Sequence, residues 1–148
     1  MRKMKKVVDN SNDRTKMIDY ERSVFIQGDL DDALLSNLTP KILALRKNLE
    51  NPITVFIDSP GGSIAVVGII RGLLKTPDQM GRTCWINTVV TGRAWSAAAD
   101  LLVSGDYIIS YPNASIYFHG TRTNVEGMTA EQAGHLQDEM MSLNKSMA

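Results

Sequence analysis

The sequence predicts an α/β domain built on a largely parallel sheet. Three observations carry that expectation. From about Asp19 onward apolar runs alternate with amphipathic stretches; "ITVFID" is a continuous apolar run of the kind found in strands buried on both faces; and the order strand, glycine turn, helix is repeated. Right-handed crossovers between such units place a ligand site at the carboxyl ends of the strands.

The elements follow in order. Residues 1–18 are charged and polar without periodicity and read as a mobile arm. "SVFIQG" is a short strand ended by Gly28, and "DDALLSNLTPKILALRKNLE" carries a helical stripe through Leu34, Leu38, Ile42 and Leu45 behind an Asp-rich start, with Pro40 placed to kink or split the helix. The strand "ITVFID", the turn "SPGGS" and the apolar helix "IAVVGIIRGLLK" come next. "TCWINTVV", a second glycine turn "TGRAW" and the helix "SAAADLLVSG" repeat the order, and "DYIIS" and "ASIYFHG" are two further short strands. In the last segment Ala133, Leu136, Met140, Leu143 and Met147 recur at heptad spacing. That stripe suits a helix packed either on its own domain or on another subunit.

Composition bounds the function. With 148 residues, 43% hydrophobic and 22% charged, the chain is the size of one globular domain with a real core. Sixteen basic residues balance sixteen acidic ones, so the charge argues against nucleic acid or an anionic membrane as the main partner. No run has signal-peptide or bilayer length, and the expected location is the cytoplasm. The single cysteine, Cys84, excludes an internal disulfide, offers no metal-ligand spacing and reads as a small buried side chain. No metal or cofactor is expected.

Candidates for acyl transfer are present: a nucleophile, a base and donors for an oxyanion. Ser96 starts the alanine-rich helix in "TGRAWSAAADLL" and has two readings, a helix cap or a nucleophile. His119 ends the strand "ASIYFH" and reads either as a base or as a hydrogen-bonded core histidine. Gly61 and Gly62 in "SPGGS" can expose backbone amides at a strand edge, or simply form a tight turn.

Taken in order, "DSPGGS" (58–63), "GRAWSAA" (92–98) and "YPNASIYFHG" (111–120) resemble the Clp protease proteolytic-subunit family, serine peptidases that work inside a closed barrel. The resemblance runs from about Asp19 to the end. It implies spiral units of the Clp/crotonase type with a protruding carboxyl-terminal handle helix, over a domain of residues 19–148 that stops within that helix. It implies Ser96 as nucleophile, His119 as general base, and the N–H groups of Gly62 and Ala97 as oxyanion donors, with Gly61, Ser63, Trp95 and Gly120 lining the substrate path. It further implies a peptide or unfolded-protein substrate, a homo-oligomeric ring and an AAA+ unfoldase partner. The chain itself has no G-x-x-x-x-G-K-[ST] nucleotide loop.

The departures are specific. Trp95 stands before the serine where the family is usually small, Gly120 and Thr121 follow His119 where Gln-Pro is common, and "KTPDQMGR" (75–82) adds a few residues between the motifs. The family's triad acid lies beyond the handle helix, and no position here corresponds to it. Asp100, Asp106 and Asp138 are the acids left to consider, each with a plainer reading as a capping or solvated carboxylate. A crotonase-like hydratase would use glutamates, and there is none between Asn51 and Val125; a Ser-Lys protease, as in signal peptide peptidases, would use a lysine, and there is none between Lys75 and Lys145. A catalytically impaired structural or binding subunit is the third alternative.

Overall fold

The computed structural model describes residues 18–120 and 130–147, so the expected amino-terminal arm lies, except for Ile18, outside the described residues. Five strands form one sheet in which every ladder is parallel: β1 (Ser23–Gln27), β2 (Ile53–Ser59), β3 (Ile86–Trp95), β4 (Tyr107–Ser110) and β5 (Ser115–Tyr117). The order is β1-β2-β3-β4. β5 pairs with β3 further along, at residues 93–95, beyond the stretch at 87–90 that pairs with β4.

Period-two alternation sorts the two faces of the sheet. Val24, Ile26, Val55, Ile57, Ile86 and Val90 are fully or almost fully buried and belong to the core, which also holds Leu38 and Ile42 of α1 (Asp32–Leu45), Val66, Ile70 and Leu74 of α2 (Ile64–Lys75), and Ala97, Ala98, Leu101 and Leu102 of α3 (Ala97–Val103). These helices therefore pack as one layer. The opposite face carries Phe25 and Phe56, paired in register and stacked with ring centroids 5.0 Å apart, with Tyr20 stacked on Phe56 at 5.9 Å.

Local chemistry explains the boundaries. Asp31 caps α1 by accepting the Leu34 N–H at 2.8 Å, and the helix ends at Leu45, where its apolar spacing ends. Pro40 does not split it: α1 runs through Pro40 as one helix. Pro40 is exposed, so the carbonyl left without a donor faces water, and the Thr39 hydroxyl bonds back to the Leu35 carbonyl in the same turn. Ser63 caps α2 through the Val66 N–H. The loop at 75–82 is closed by Asp78, which accepts the Met80 and Arg82 N–H groups and pairs with the Arg82 guanidinium. Cys84 is buried as expected, and burial raises its thiol pKa.

One expected element is different. "TGRAW" is not a glycine turn; it continues β3 to Trp95 through an irregularity in which two steps on β2, Ile57 to Ser59, face four on β3, Val90 to Ala94. The Asp58 carboxylate fills the bulge, accepting the Arg93 N–H at 3.0 Å, and a Cβ on Gly92 would lie 2.8 Å from Asp58 Oδ1. Glycine is required there for close approach rather than for turning. The carboxyl-terminal helix α4 (Ala130–Met147) exists, and of its expected stripe Leu136, Met140 and Leu143 are half-buried while Met141 is exposed; the side chains of Ala133 and Met147 lie outside the described residues.

Candidate active site

The site forms where β2 and β3 end. Ser59 is fully buried and its hydroxyl accepts the Gly61 N–H at 3.1 Å, folding "SPGG" back over the strand edge. Gly61 (φ +104) then lies against the opposite motif: a Cβ there would stand 2.7 Å from the Trp95 carbonyl and 2.8 Å from Ser96 Cβ. Gly62 (φ +147) lies against Leu30, whose carbonyl and amide would be 2.6 and 2.8 Å from an added Cβ. Both glycines are required, by φ and by contact.

Leu30 donates to the Gly61 carbonyl and accepts the Ser63 N–H, a parallel bridge centred on Gly62. In such a bridge the central residue's own N–H points away from the partner. The Gly62 N–H is thus turned from Leu30, and among the described residues it has no acceptor. The Ala97 N–H is in the same condition, as expected for the first residue of a helix. Two donors without acceptors flank the motif contact.

Ser96 joins β3 to α3 with φ 56° and ψ −127°, the one non-glycine positive φ among the described residues. Its N–H is bonded to the Tyr117 carbonyl at 2.7 Å and its carbonyl accepts the Ala99 N–H at 2.9 Å, so the backbone is held from both sides. Its hydroxyl makes no capping bond. Of the two readings open in the sequence, the side-chain cap is not the one observed.

His119 does not end the strand as expected; β5 stops at Tyr117, and His119 stands two residues beyond, half-buried, with its ring tilted against Tyr117 at 5.9 Å. The β3–β5 register, Trp95 opposite Tyr117, brings Ser96 and His119 to the same end of the sheet. His119 Nδ1 lies 2.5 Å from the Gly120 carbonyl oxygen. A carbonyl only accepts, so Nδ1 is the donor in this bond, which leaves Nε2 outside it. Among the described residues Ser96 and His119 are not hydrogen-bonded to each other.

The remaining expected residues sort clearly. Trp95 is partly exposed, its indole N–H donating to Ser115 at 2.8 Å and its ring under the Arg93 guanidinium at 5.7 Å. Gly120 lies beside α4, a Cβ there meeting Asn144 at 3.7 Å. The Ser63 hydroxyl is engaged as a cap, and its N–H is bonded to the Leu30 carbonyl. Asp106 is occupied: it pairs with Lys75 at 2.9 Å and accepts the Ile86 N–H at 2.8 Å, which also ties up the lysine nearest in sequence for Ser-Lys chemistry. Asp138 is exposed on α4. Asp100 is half-buried on α3, and burial pushes its carboxyl above the usual range against the opposing fields of Arg71 and His119.

Asp58 and Arg93 were not singled out in the sequence. Their ion pair (2.9 Å) fastens the two motifs together, and the Arg93 hydrogen bond holds the Asp58 carboxyl below its ordinary range. The signal was available in part, since an acid before "SPGG" and a base two residues before the tryptophan occupy matching strand ends. Only the register makes them neighbours.

The model of the Clp protease family matches residues 6–148. The chain belongs to that family. Among curated Clp proteins it is similar to ATP-dependent Clp protease proteolytic subunit 2 of Gluconobacter oxydans, 28% identical over 109 residues, covering 72% of this chain and 48% of the relative. It is also similar to the chloroplastic proteolytic subunit 3 of Arabidopsis thaliana, 31% identical over 140 residues, covering 90% of this chain and 43% of the relative. The chain thus spans less than half the length of these Clp relatives. The family identifies it as peptidase-related in general.

Proposed function

We propose that this chain is a serine-type endopeptidase subunit that cleaves unfolded polypeptides through an acyl-enzyme, with Ser96 as nucleophile, His119 as base, and the Gly62 and Ala97 N–H groups as oxyanion donors. The observation that carries this reading is the backbone of Ser96: a serine in a conformation that costs about 1–3 kcal/mol, with a hydroxyl that does no capping, beside two donors without acceptors. Strain of that size persists where surrounding contacts dictate it, here Gly61, Tyr117 and Ala99.

In the reaction the Ser96 hydroxyl proton passes to His119 Nε2 as Oγ bonds to the scissile carbonyl carbon, and the carbonyl π pair moves onto oxygen, where the two N–H groups receive it. Collapse of that intermediate breaks the C–N bond, and the proton on Nε2 leaves with the amine. Water repeats the sequence to release the acid and restore Ser96. An extended substrate would run past the glycine turn at Gly61 to Ser63 and past Gly120, with Trp95 beside it.

The relatives are named as ATP-dependent proteolytic subunits, which supports a ring of copies served by an AAA+ unfoldase. Among the described residues no helix is long and apolar enough to cross a membrane, in keeping with the cytoplasmic location we propose. A non-catalytic assembly subunit is the second reading, favoured by the missing Ser96–His119 hydrogen bond. A fluorophosphonate decides between them. It should label Ser96, and Ser96→Ala or His119→Ala should abolish labelling. An intact protein that never labels would establish the second reading.

A further inference from the structure

The geometry points to Tyr117 as the residue that positions the base against the nucleophile: its carbonyl holds the Ser96 backbone and its ring braces the His119 imidazole. This rests on the serine-peptidase reading above. The main-chain half is the bond from the Ser96 N–H to the Tyr117 carbonyl at 2.7 Å, one of the contacts that hold Ser96 at its positive φ. The side-chain half is the contact between the Tyr117 and His119 rings, whose centroids lie 5.9 Å apart at an interplanar angle of 49°. Aromatic rings attract one another at that separation in tilted arrangements. One residue thus touches both partners of the proton transfer.

His119 stands two residues beyond β5, and among the described residues its backbone makes no hydrogen bond. The bond from Nδ1 to the Gly120 carbonyl fixes one edge of the imidazole but leaves the ring able to swing about that edge. The Tyr117 ring restricts the swing, and so sets the direction of Nε2, which lies outside the Gly120 bond. Tyr117 is anchored where His119 is not. It pairs with Trp95 in the β3–β5 ladder, and Ser115 of the same strand accepts the Trp95 indole N–H at 2.8 Å, so β5 is fastened to β3 by side chain as well as by main chain.

The tyrosine ring does little for the core. The residue is 56% exposed, and an exposed side chain away from caps and ion pairs changes stability only slightly when replaced. Proton transfer is more demanding, because a misplacement of about 1 Å between reacting groups costs on the order of a hundredfold in rate. Loss of the ring should therefore register in the chemistry and not in the fold. Phe118 supplies the contrast, since it is exposed to the same degree and makes no ring contact with His119 among the described residues.

The test follows fluorophosphonate labelling of Ser96 against probe concentration, alongside thermal unfolding, in the unaltered 148-residue chain and in Tyr117→Phe, Tyr117→Leu and Phe118→Leu. Every variant keeps the Tyr117 carbonyl, so the comparison isolates the ring. Tyr117→Leu should lower the labelling rate at saturating probe by about tenfold, with the half-saturating concentration and the unfolding midpoint little changed. Tyr117→Phe and Phe118→Leu should label as the unaltered chain does. Equal saturating rates for Tyr117→Leu and the unaltered chain overturn the role of Tyr117 and leave the peptidase reading standing. A loss confined to the half-saturating concentration makes the ring a contact for the probe, and slowing of Phe118→Leu to the same extent makes the effect unspecific; either result overturns the positioning role. Should Tyr117→Leu not fold, Tyr117→Val takes its place, and failure of both makes the ring structural and overturns the proposal. Absence of Ser96 labelling in the unaltered chain overturns the peptidase reading along with it.

Discussion

At the scale of single residues, the backbone angle of Ser96 is separable from its hydroxyl. Its φ of 56° and ψ of −127° suit glycine, so Ser96→Gly is expected to raise stability by about 1 kcal/mol while removing the nucleophile, whereas Ser96→Ala removes the hydroxyl and keeps the strain. Thermal unfolding of the two variants side by side checks this; equal midpoints would mean the angle is not strained. Gly61 behaves in the opposite sense. Gly61→Ala forces an L side chain to φ +104 and sets its Cβ within 2.7 Å of the Trp95 carbonyl, backbone that has no room to move. The expected cost is about 3 kcal/mol or more, with labelling at Ser96 lost even in molecules that remain folded.

Between elements, the Asp58–Arg93 pair is what joins the end of β2 to the bulge of β3. Because both side chains are partly exposed, solvent screens the pair, and its larger consequence is alignment. The folded-state pKa of Asp58 lies below its ordinary value, so its contribution is complete above the ordinary carboxylate range and fades as the pH falls through the folded value. Asp58→Asn should accordingly lower stability near neutral pH and converge on the unaltered protein as unfolding is followed down below about pH 3.8. A gap that stays constant with pH would assign the effect to packing. The same substitution should slow Ser96 labelling, since the bulge carries Arg93, Ala94 and Trp95 toward the serine.

For the whole molecule, the open question is what covers α4. Leu136, Met140 and Leu143 are half-buried along one side of a helix that is otherwise polar, and that helix passes beside Gly120, where an added Cβ would lie 3.7 Å from Asn144. The ring we propose would cover the stripe with a neighbouring copy, so the chain should sediment as an oligomer at micromolar concentration. Leu136→Asp together with Met140→Asp should shift it toward monomer by burying unpaired charge. A strictly monomeric unaltered protein would return the stripe to its own domain.

The sequence by itself determined the class of fold, the order of the strands along the chain and the identity of the two motif ends, because period-two and helical spacing are local properties read within a few residues. It placed Leu38, Ile42 and Cys84 inside for the same reason. Tertiary structure decided what depends on register. "TGRAW" reads as a turn because glycine permits one, yet pairing with β2 and the carboxylate of Asp58 draw it out as bulged strand. Ser96 reads as a cap from its place before alanines, and only its contacts with Gly61 and Tyr117 impose the angle that turns its hydroxyl from that duty. Asp100, Asp106 and Asp138 look alike as letters. Long-range neighbours separate them, giving Asp106 to Lys75, leaving Asp138 on the exposed side of α4, and setting Asp100 in the field of His119, since the environment of a charge is made by residues distant in sequence.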